Sequence, residues 1–438
     1  MKYFGTDGIR SKADQFTPDF LTAIIKGLID YTSDNIKVLI GGDTRESTEW
    51  ILADLETALE TFGIEYANVG VLPTPAINYC FNKMGFDIAI DVTASHNPYT
   101  DNGIKIFELG PHGTQKLCDE GCAAIEKSLE NPQSYTTISP SIRESLHDDA
   151  VDLYKNHLKD YLSDIDLSNL HLGLDCANGA TSALNKSIFE ELGATVDLIN
   201  VNANYNTEIN KDCGSTHLES LQNLVKDKNL DFGVAFDGDG DRCLLVDKNG
   251  NIIDGDHIIA ILIKYLNLKS AATTVMANQG LLNWAKENNI TLEITSVGDS
   301  NVAAAMREKN IQLGGEQSGH IILPGEITGD GMLTALLLSK VVVKTGKNLD
   351  ELAKTITKLP QIMINIPANS AQKQALKENQ KIKDLLLEYS KKLDSILGRL
   401  LVRPSGTEDL IRITMWGEDE DKVNHLAHKL KKSLGELL

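Results

Sequence analysis

Apolar and polar positions along the chain follow a repeating rhythm in which a short β-branched run closes in a Gly/Asp/Asn loop, an amphipathic stretch follows, and another apolar run begins. Residues 38–40 predict a buried strand that runs into Gly41-Gly42-Asp43-Thr44-Arg45, followed by a helix over 48–62. Residues 66–71 predict the next strand, Pro73-Thr74-Pro75 a turn, the residues up to 84 a helix, and 86–92 another strand. Alternation of this kind predicts a mostly parallel sheet covered by helices. Upstream, the Gly-punctuated stretch 4–10 reads as a loop delivering Arg10, and 20–31 as an amphipathic helix.

The rhythm recurs twice. Residues 170–174 predict a strand ending in Asp175-Cys176-Ala177-Asn178-Gly179, then come a helix over 182–192 and a strand over 230–236. A third round has strands at 273–277 and 311–313, the second leading into Gly314-Gly315-Glu316-Gln317-Ser318-Gly319-His320. The polar stretch 131–148, with two prolines, marks a boundary between rounds. Beyond it all, a strand over 362–366, a helix over 372–392, a strand over 410–415 and a helix over 419–437 form a different, smaller unit. The expected division is 1–147, 148–250 and 251–360 as α/β domains and 361–438 as an α+β domain.

Composition narrows the partners. A formal charge of -20 on 438 residues, with no Lys/Arg-rich block, argues against nucleic acid or an anionic membrane surface. The first residues lack the apolar core of a signal peptide, and the longest apolar run, 333–343, is broken by Lys340, so a cytoplasmic protein is expected. The six cysteines show no zinc-ligand spacing and read as free thiols. Arg10, Arg45, Arg242, Arg403 and Arg412 all lie in or beside Gly/Ser/Asp-rich loops, where a planar guanidinium suits phosphate.

Four loops carry candidate chemistry. The strand 86–92 breaks into Thr93-Ala94-Ser95-His96-Asn97-Pro98, which should present Ser95 at the carboxyl end of a strand, where open parallel sheets bind ligands. In Asp237-Gly238-Asp239-Gly240-Asp241-Arg242, glycines let three alternate carboxylates converge, a hard-cation site. The calcium EF-hand pattern fails there, because its glycine and glutamate positions are Arg242 and Lys248, and three protein oxygens suit Mg²⁺. The loop 314–320 sets a carboxylate, a hydroxyl and an imidazole between glycines, suited to sugar hydroxyls. Arg403-Pro404-Ser405-Gly406-Thr407 reads as a phosphate nest, with a helix capping box from Ser405 to Glu408 as the alternative.

These motifs, together with Phe4-Gly5-Thr6-Asp7-Gly8-Ile9-Arg10 and Asn102-Gly103-Ile104-Lys105, occur in order along the whole chain. The chain thereby resembles the α-D-phosphohexomutase superfamily, most closely its bacterial phosphoglucosamine mutase branch. The resemblance implies three related α/β domains with mixed, mostly parallel sheets and a small α+β carboxyl-terminal domain around a central cleft, and a possible homodimer. It implies an intramolecular phosphotransferase that interconverts glucosamine 6-phosphate and glucosamine 1-phosphate through a bisphosphate, feeding UDP-N-acetylglucosamine and cell-wall synthesis.

Position by position, the resemblance makes Ser95 the phosphorylated serine, and Ser95, Asp237, Asp239 and Asp241 the ligands of one Mg²⁺. It gives Glu316 and Ser318 to the sugar hydroxyls, and Arg403, Ser405, Gly406, Thr407 and Arg412 to the phosphate that is not transferred. Lys105, Arg242, His320 and Arg10 would face the transferred group or assist proton transfer. Three positions depart from the branch: Ser300-Asn301 stands for an Arg-Tyr pair, Glu408-Asp409 for Glu-Pro, and Ser11 for the glycine after Arg10. The other readings are a phosphomannomutase or phosphoglucomutase, and a catalytically weak phosphosugar-binding or regulatory protein.

Overall fold

Three sheets share one wiring. In the first, Lys37–Gly42 lies between Glu65–Val71 and Ile88–Val92, parallel to both, and Ile88–Val92 then pairs antiparallel with Asp101–Gly110. The second repeats this with His171–Asp175, Thr195–Ile199, Phe232–Phe236 and Cys243–Asp247. Ser270–Thr274, Thr291–Thr295, Gly314–Gly315 and Ile321–Ile322 repeat it again. The structure, a computed structural model, describes residues 2–5, 7–32, 36–110, 113–131, 143–163, 165–405 and 409–438.

This common order, second-first-third-fourth, turns the weak sequence repeat into a topological one. In each sheet the connection from third to fourth strand leaves the carboxyl end of a parallel strand and returns as a hairpin. Those three connections are residues 93–100, 237–242 and 316–320: the loops bearing Ser95, the three aspartates and Glu316 are one loop used three times. The sheets are mixed, and their antiparallel members carry no signal in the helix–strand alternation. The first sheet adds Phe4–Gly5 and Gly8–Lys12 beyond Asp101–Gly110.

Several sequence expectations need correction. Pro73-Thr74-Pro75 is no separate turn, since the helix Thr74–Lys83 starts within it and takes Pro75 in its first turn, where a missing N–H costs nothing. The strand expected at 311–313 falls instead on Gly314–Gly315, where the helix Asp299–Lys309 packs so closely that a Cβ at Gly314 would meet Met306 Sδ at 2.4 Å. The single helix over 372–392 is two, Ser370–Glu378 and Gln380–Asp394, because extended Asn379 interrupts it and caps the second by accepting from the Lys381 N–H. In the boundary stretch, Arg143–Ser145 extends the first sheet alongside Glu65–Val71, and 132–142 lie outside the described residues.

One apolar core runs through the first three units. Leu39 and Phe81 from the first, Leu172 and Phe236 from the second, and Ile259 and Leu336 from the third belong to it, and Tyr154, Leu158 and Leu162 of the helix His147–Leu162 join them. The apolar helix Gly331–Thr345 is buried there, with Lys340 Nζ donating to the Leu162 carbonyl; among the described residues no helix is long and apolar enough to cross a membrane. The last unit is an antiparallel sheet of Gln361–Pro367, Leu410–Trp416 and Arg399–Pro404, with a core of its own.

Candidate active site

Ser95 is fully buried at the start of the first hairpin loop, in the left-handed region at φ 53°, which a serine adopts only when its surroundings hold it there. Its N–H donates to Thr93 Oγ1 at 2.9 Å, and its carbonyl accepts from Arg45 and from Asn210 Nδ2, both at 2.8 Å. Held in this way, Ser95 Oγ donates to Asp237 Oδ2 at 2.8 Å across the gap between the first two units. The loops touch closely: a Cβ at Gly238 would stand 2.8 Å from the Ser95 carbonyl, so the glycine of the aspartate loop is a steric requirement.

Asp237, Asp239 and Asp241 are buried, and their ligand oxygens lie within 4.8 Å of one another. Burial and the neighbouring Asp241 and Asp239 charges push Asp237 well above the usual carboxylate range. Burial alone would raise Asp241 too, but Lys105, His320 and Arg242 hold it at about 2. One oxygen each of Asp239 and Asp241 is buried without a hydrogen-bond partner. Convergent carboxylates with such orphaned oxygens fit a hard divalent cation, which would relieve both the repulsion and the missing bonds.

Cations surround this centre. Lys105, opposite Asp91 in the first sheet, reaches Asp239 at 2.7 Å, Asp241 at 3.0 Å and Asp7 at 3.3 Å. Burial disfavours its charge, but these carboxylates outweigh it and raise its pKa. Arg242 NH1 donates to His96 Nδ1 at 3.0 Å, and its backbone pairs with His320, so one residue ties the serine, aspartate and sugar loops together. Burial, with the Arg242 and Arg10 charges, lowers His96 to about 3 and keeps it a neutral acceptor. Arg10 NH2 donates to Asp7 Oδ2 at 2.5 Å.

On the sugar loop, His320 Nε2 accepts from the Gly329 N–H at 3.1 Å, and its buried Nδ1 has no partner. Ser318 is exposed, whereas Glu316 is largely buried and accepts from the Gly298 N–H at 3.2 Å, bracing the segment that carries Asp299, Ser300 and Asn301. A cavity of about 600 Å³ lies beside these groups, lined among others by Gly8, Lys105, Lys116, Asp299, Asn301 and His320, but not by Ser95, the three aspartates, Glu316 or Ser318.

Arg403 and Arg412 face each other directly across the hairpin of the last unit. Burial and the Arg412 charge lower the Arg403 pKa, and Arg403 Nε is buried without a partner, an arrangement that invites an anion. The Ser405 N–H donates to the Leu410 carbonyl at 2.8 Å, and the capping box from Ser405 to Glu408 falls on residues outside those described. Gly406, Thr407 and Glu408 lie outside the described residues.

The phosphate expectation for Arg45 is wrong. Its side chain is fully buried, paired with Asp43 at 2.9 Å, and spends its remaining donors on the carbonyls of Ser95, Asn97, Pro98 and Asp101. It builds the serine loop. Sequence reasoning also passed over Thr74, whose hydroxyl lies 2.6 Å from Asp91 and 2.8 Å from Asp239, though its place just past the strand Glu65–Val71 was a usable signal.

Models of the phosphoglucomutase/phosphomannomutase α/β/α domains I, II and III match residues 1–136, 152–250 and 254–359, and that of its C-terminal domain matches 363–433. The chain belongs to this family. It is 40% identical to a phosphoglucosamine mutase of Clostridium novyi, covering 99% of both chains. With a phosphoglucosamine mutase of Ligilactobacillus salivarius it shares 41% identity over 98% of this chain and 96% of the relative. A phosphoglucomutase/phosphomannomutase family protein of Burkholderia thailandensis has the same fold, with a TM-score of 0.80 at 20% identity, covering 99% of this chain and 97% of that one. An N-acetylphosphoglucosamine mutase of Aspergillus fumigatus follows at 0.67 and 18%, covering 99% and 96%.

Proposed function

We propose that this phosphohexomutase interconverts glucosamine 6-phosphate and glucosamine 1-phosphate in the cytoplasm, feeding UDP-N-acetylglucosamine and cell-wall synthesis. The observation that carries the reading is Ser95 Oγ, held at a strained φ against Asp237 within the carboxylate triad. The phosphoryl group on Ser95 passes to the free hydroxyl of the sugar phosphate and leaves a bisphosphate. The bisphosphate reverses end for end, and its other phosphoryl group returns to the serine oxygen. No phosphate is gained or lost.

Ser95, Asp237, Asp239 and Asp241 would hold one Mg²⁺, which when bound spreads the negative charge of the group in transfer. Lys105, Arg242 and Arg10 supply fixed positive charge for the transferred group, and His320 Nδ1, unpartnered in the cavity wall, is placed to move a proton. By the sequence motifs, Glu316 and Ser318 hold sugar hydroxyls, and Arg403, Ser405, Gly406, Thr407 and Arg412 hold the other phosphate. The preference for an amino sugar is supported by the phosphoglucosamine mutase relatives and by Coulomb attraction between a 2-ammonium and Glu316 in a strongly acidic chain.

The deciding experiment is a coupled assay on glucosamine, glucose, mannose and N-acetylglucosamine 6-phosphates. Glucosamine 6-phosphate should lead glucose and mannose 6-phosphates in kcat/KM by about 10- to 100-fold. A ratio below one would reassign the chain to the glucose/mannose branch.

A further inference from the structure

Lys116 ends the short strand Gly113–Lys116, which pairs with Asp101–Gly110 at the margin of the first sheet. Its ammonium pairs with two carboxylates at once: Asp7, in the loop between Phe4–Gly5 and Gly8–Lys12, and Asp299, the first residue of the helix Asp299–Lys309. The first belongs to the amino-terminal unit and the second to the third unit, so the pair spans the cavity that both line. Burial opposes the Lys116 charge, yet Asp299 and Asp7 overcome it and keep the ammonium charged.

Both carboxylates also lie against residues assigned above to the transferred group. Asp7 receives Arg10 and Lys105, and Asp299 Oδ2 lies 3.7 Å from His320 Nε2. Take away Lys116 and two things follow. Asp299 is left without its cation in a wall that must admit a phosphate dianion, and Asp7, whose Oδ2 already holds Arg10 and Lys105, loses the cation on its Oδ1. Ser300 and Asn301, next in the chain, carry no charge to compensate.

We propose that Lys116 is a positioning residue that neutralises Asp7 and Asp299 and joins them across the cleft, so that a phosphosugar meets a wall with matched charges. The proposal rests on the phosphosugar mutase reading above. Its test is steady-state kinetics on glucosamine 6-phosphate for Lys116→Met, Lys116→Arg and the double variant Lys116→Met/Asp299→Asn. Lys116→Met should raise KM by about tenfold, with a smaller fall in kcat and a KM that eases as salt screens the unpaired charge at the cavity wall. Lys116→Arg should retain most of the affinity. The double variant should recover much of the lost affinity, because the unmatched charge has gone with its partner.

An unchanged KM in Lys116→Met overturns the proposal. So does a double variant no better than Lys116→Met, which would make Lys116 a direct ligand of the substrate. If a Lys116→Met preparation melts well below wild type, the arginine and double variants, compared at matched stability, still decide the matter. Failure of the underlying reading looks different: wild type itself would then turn over none of the hexose phosphates.

Discussion

The guanidinium of Arg45 donates to the carbonyl oxygen of Ser95 at 2.8 Å, and the same nitrogen donates to Asn97 at 2.9 Å. A strained residue is thus fixed from behind by a cation that never faces the cleft. Lysine keeps the charge beside Asp43 but cannot supply the fork of donors. Arg45→Lys should therefore lower kcat by about tenfold or more, at roughly 1.5 to 3 kcal/mol for a lost charged hydrogen bond, with a smaller change in KM. A kinetic comparison with far-ultraviolet circular dichroism checks it, and an unchanged kcat in folded protein would show that the loop holds its own shape.

Active enzyme should carry one phosphoryl group on Ser95, absent from Ser95→Ala in intact-mass spectra. The three convergent aspartates imply loss of turnover in EDTA and its return with Mg²⁺. Full activity in chelator, or an active Ser95→Ala protein, would end the mechanism.

Two arginines face each other in register in the last unit, and an anion between them would relieve their repulsion. Arg403→Ala should raise KM for the sugar phosphate by at least about tenfold, from roughly 1.5 to 3 kcal/mol per charged contact, and leave Ser95 phosphorylation intact. Equal KM values in variant and wild type would assign the pair to stabilising the hairpin.

Burial raises Asp330 from the ordinary 3.8 to about 7, against the opposing hydrogen bonds from the Leu333 N–H and the Tyr154 hydroxyl. An acid whose folded pKa lies above its unfolded one favours folding at low pH. That contribution is fully present below 3.8 and is lost as pH rises through about 7. Asp330→Asn cannot ionise and retains an oxygen to cap the helix Gly331–Thr345. Its melting temperature relative to wild type should improve from about pH 4 to about pH 7 and level off above that. A constant difference would mean that Asp330 is ionised throughout.

The loops around Ser95, Asp237 and Glu316 were legible because each follows an apolar run and gathers polar groups that no buried strand end tolerates without a purpose. The antiparallel strands were not: Cys243–Asp247 and Ile321–Ile322 are short returns from those loops, and apolar periodicity does not report strand direction. Arg45 was misread because an arginine after a strand looks the same whether it turns toward a ligand or toward carbonyls. Lys116 left no signal, since Gly113–Lys116 is a short polar strand without an apolar stripe.

The three equivalent hairpin loops shorten in order, from 93–100 through 237–242 to 316–320. Because the freedom of a tethered segment grows with its length, slack is distributed unequally around the cleft. The longest, 93–100, gives up that slack to the bonds from Arg45 and Asn210 that pin its carbonyls, and the shortest, 316–320, has the least to give up. New sugar preference would therefore be acquired less readily by remodelling 316–320 than through the separate segment 298–301, which Glu316 braces from beneath and which can change without disturbing a hairpin.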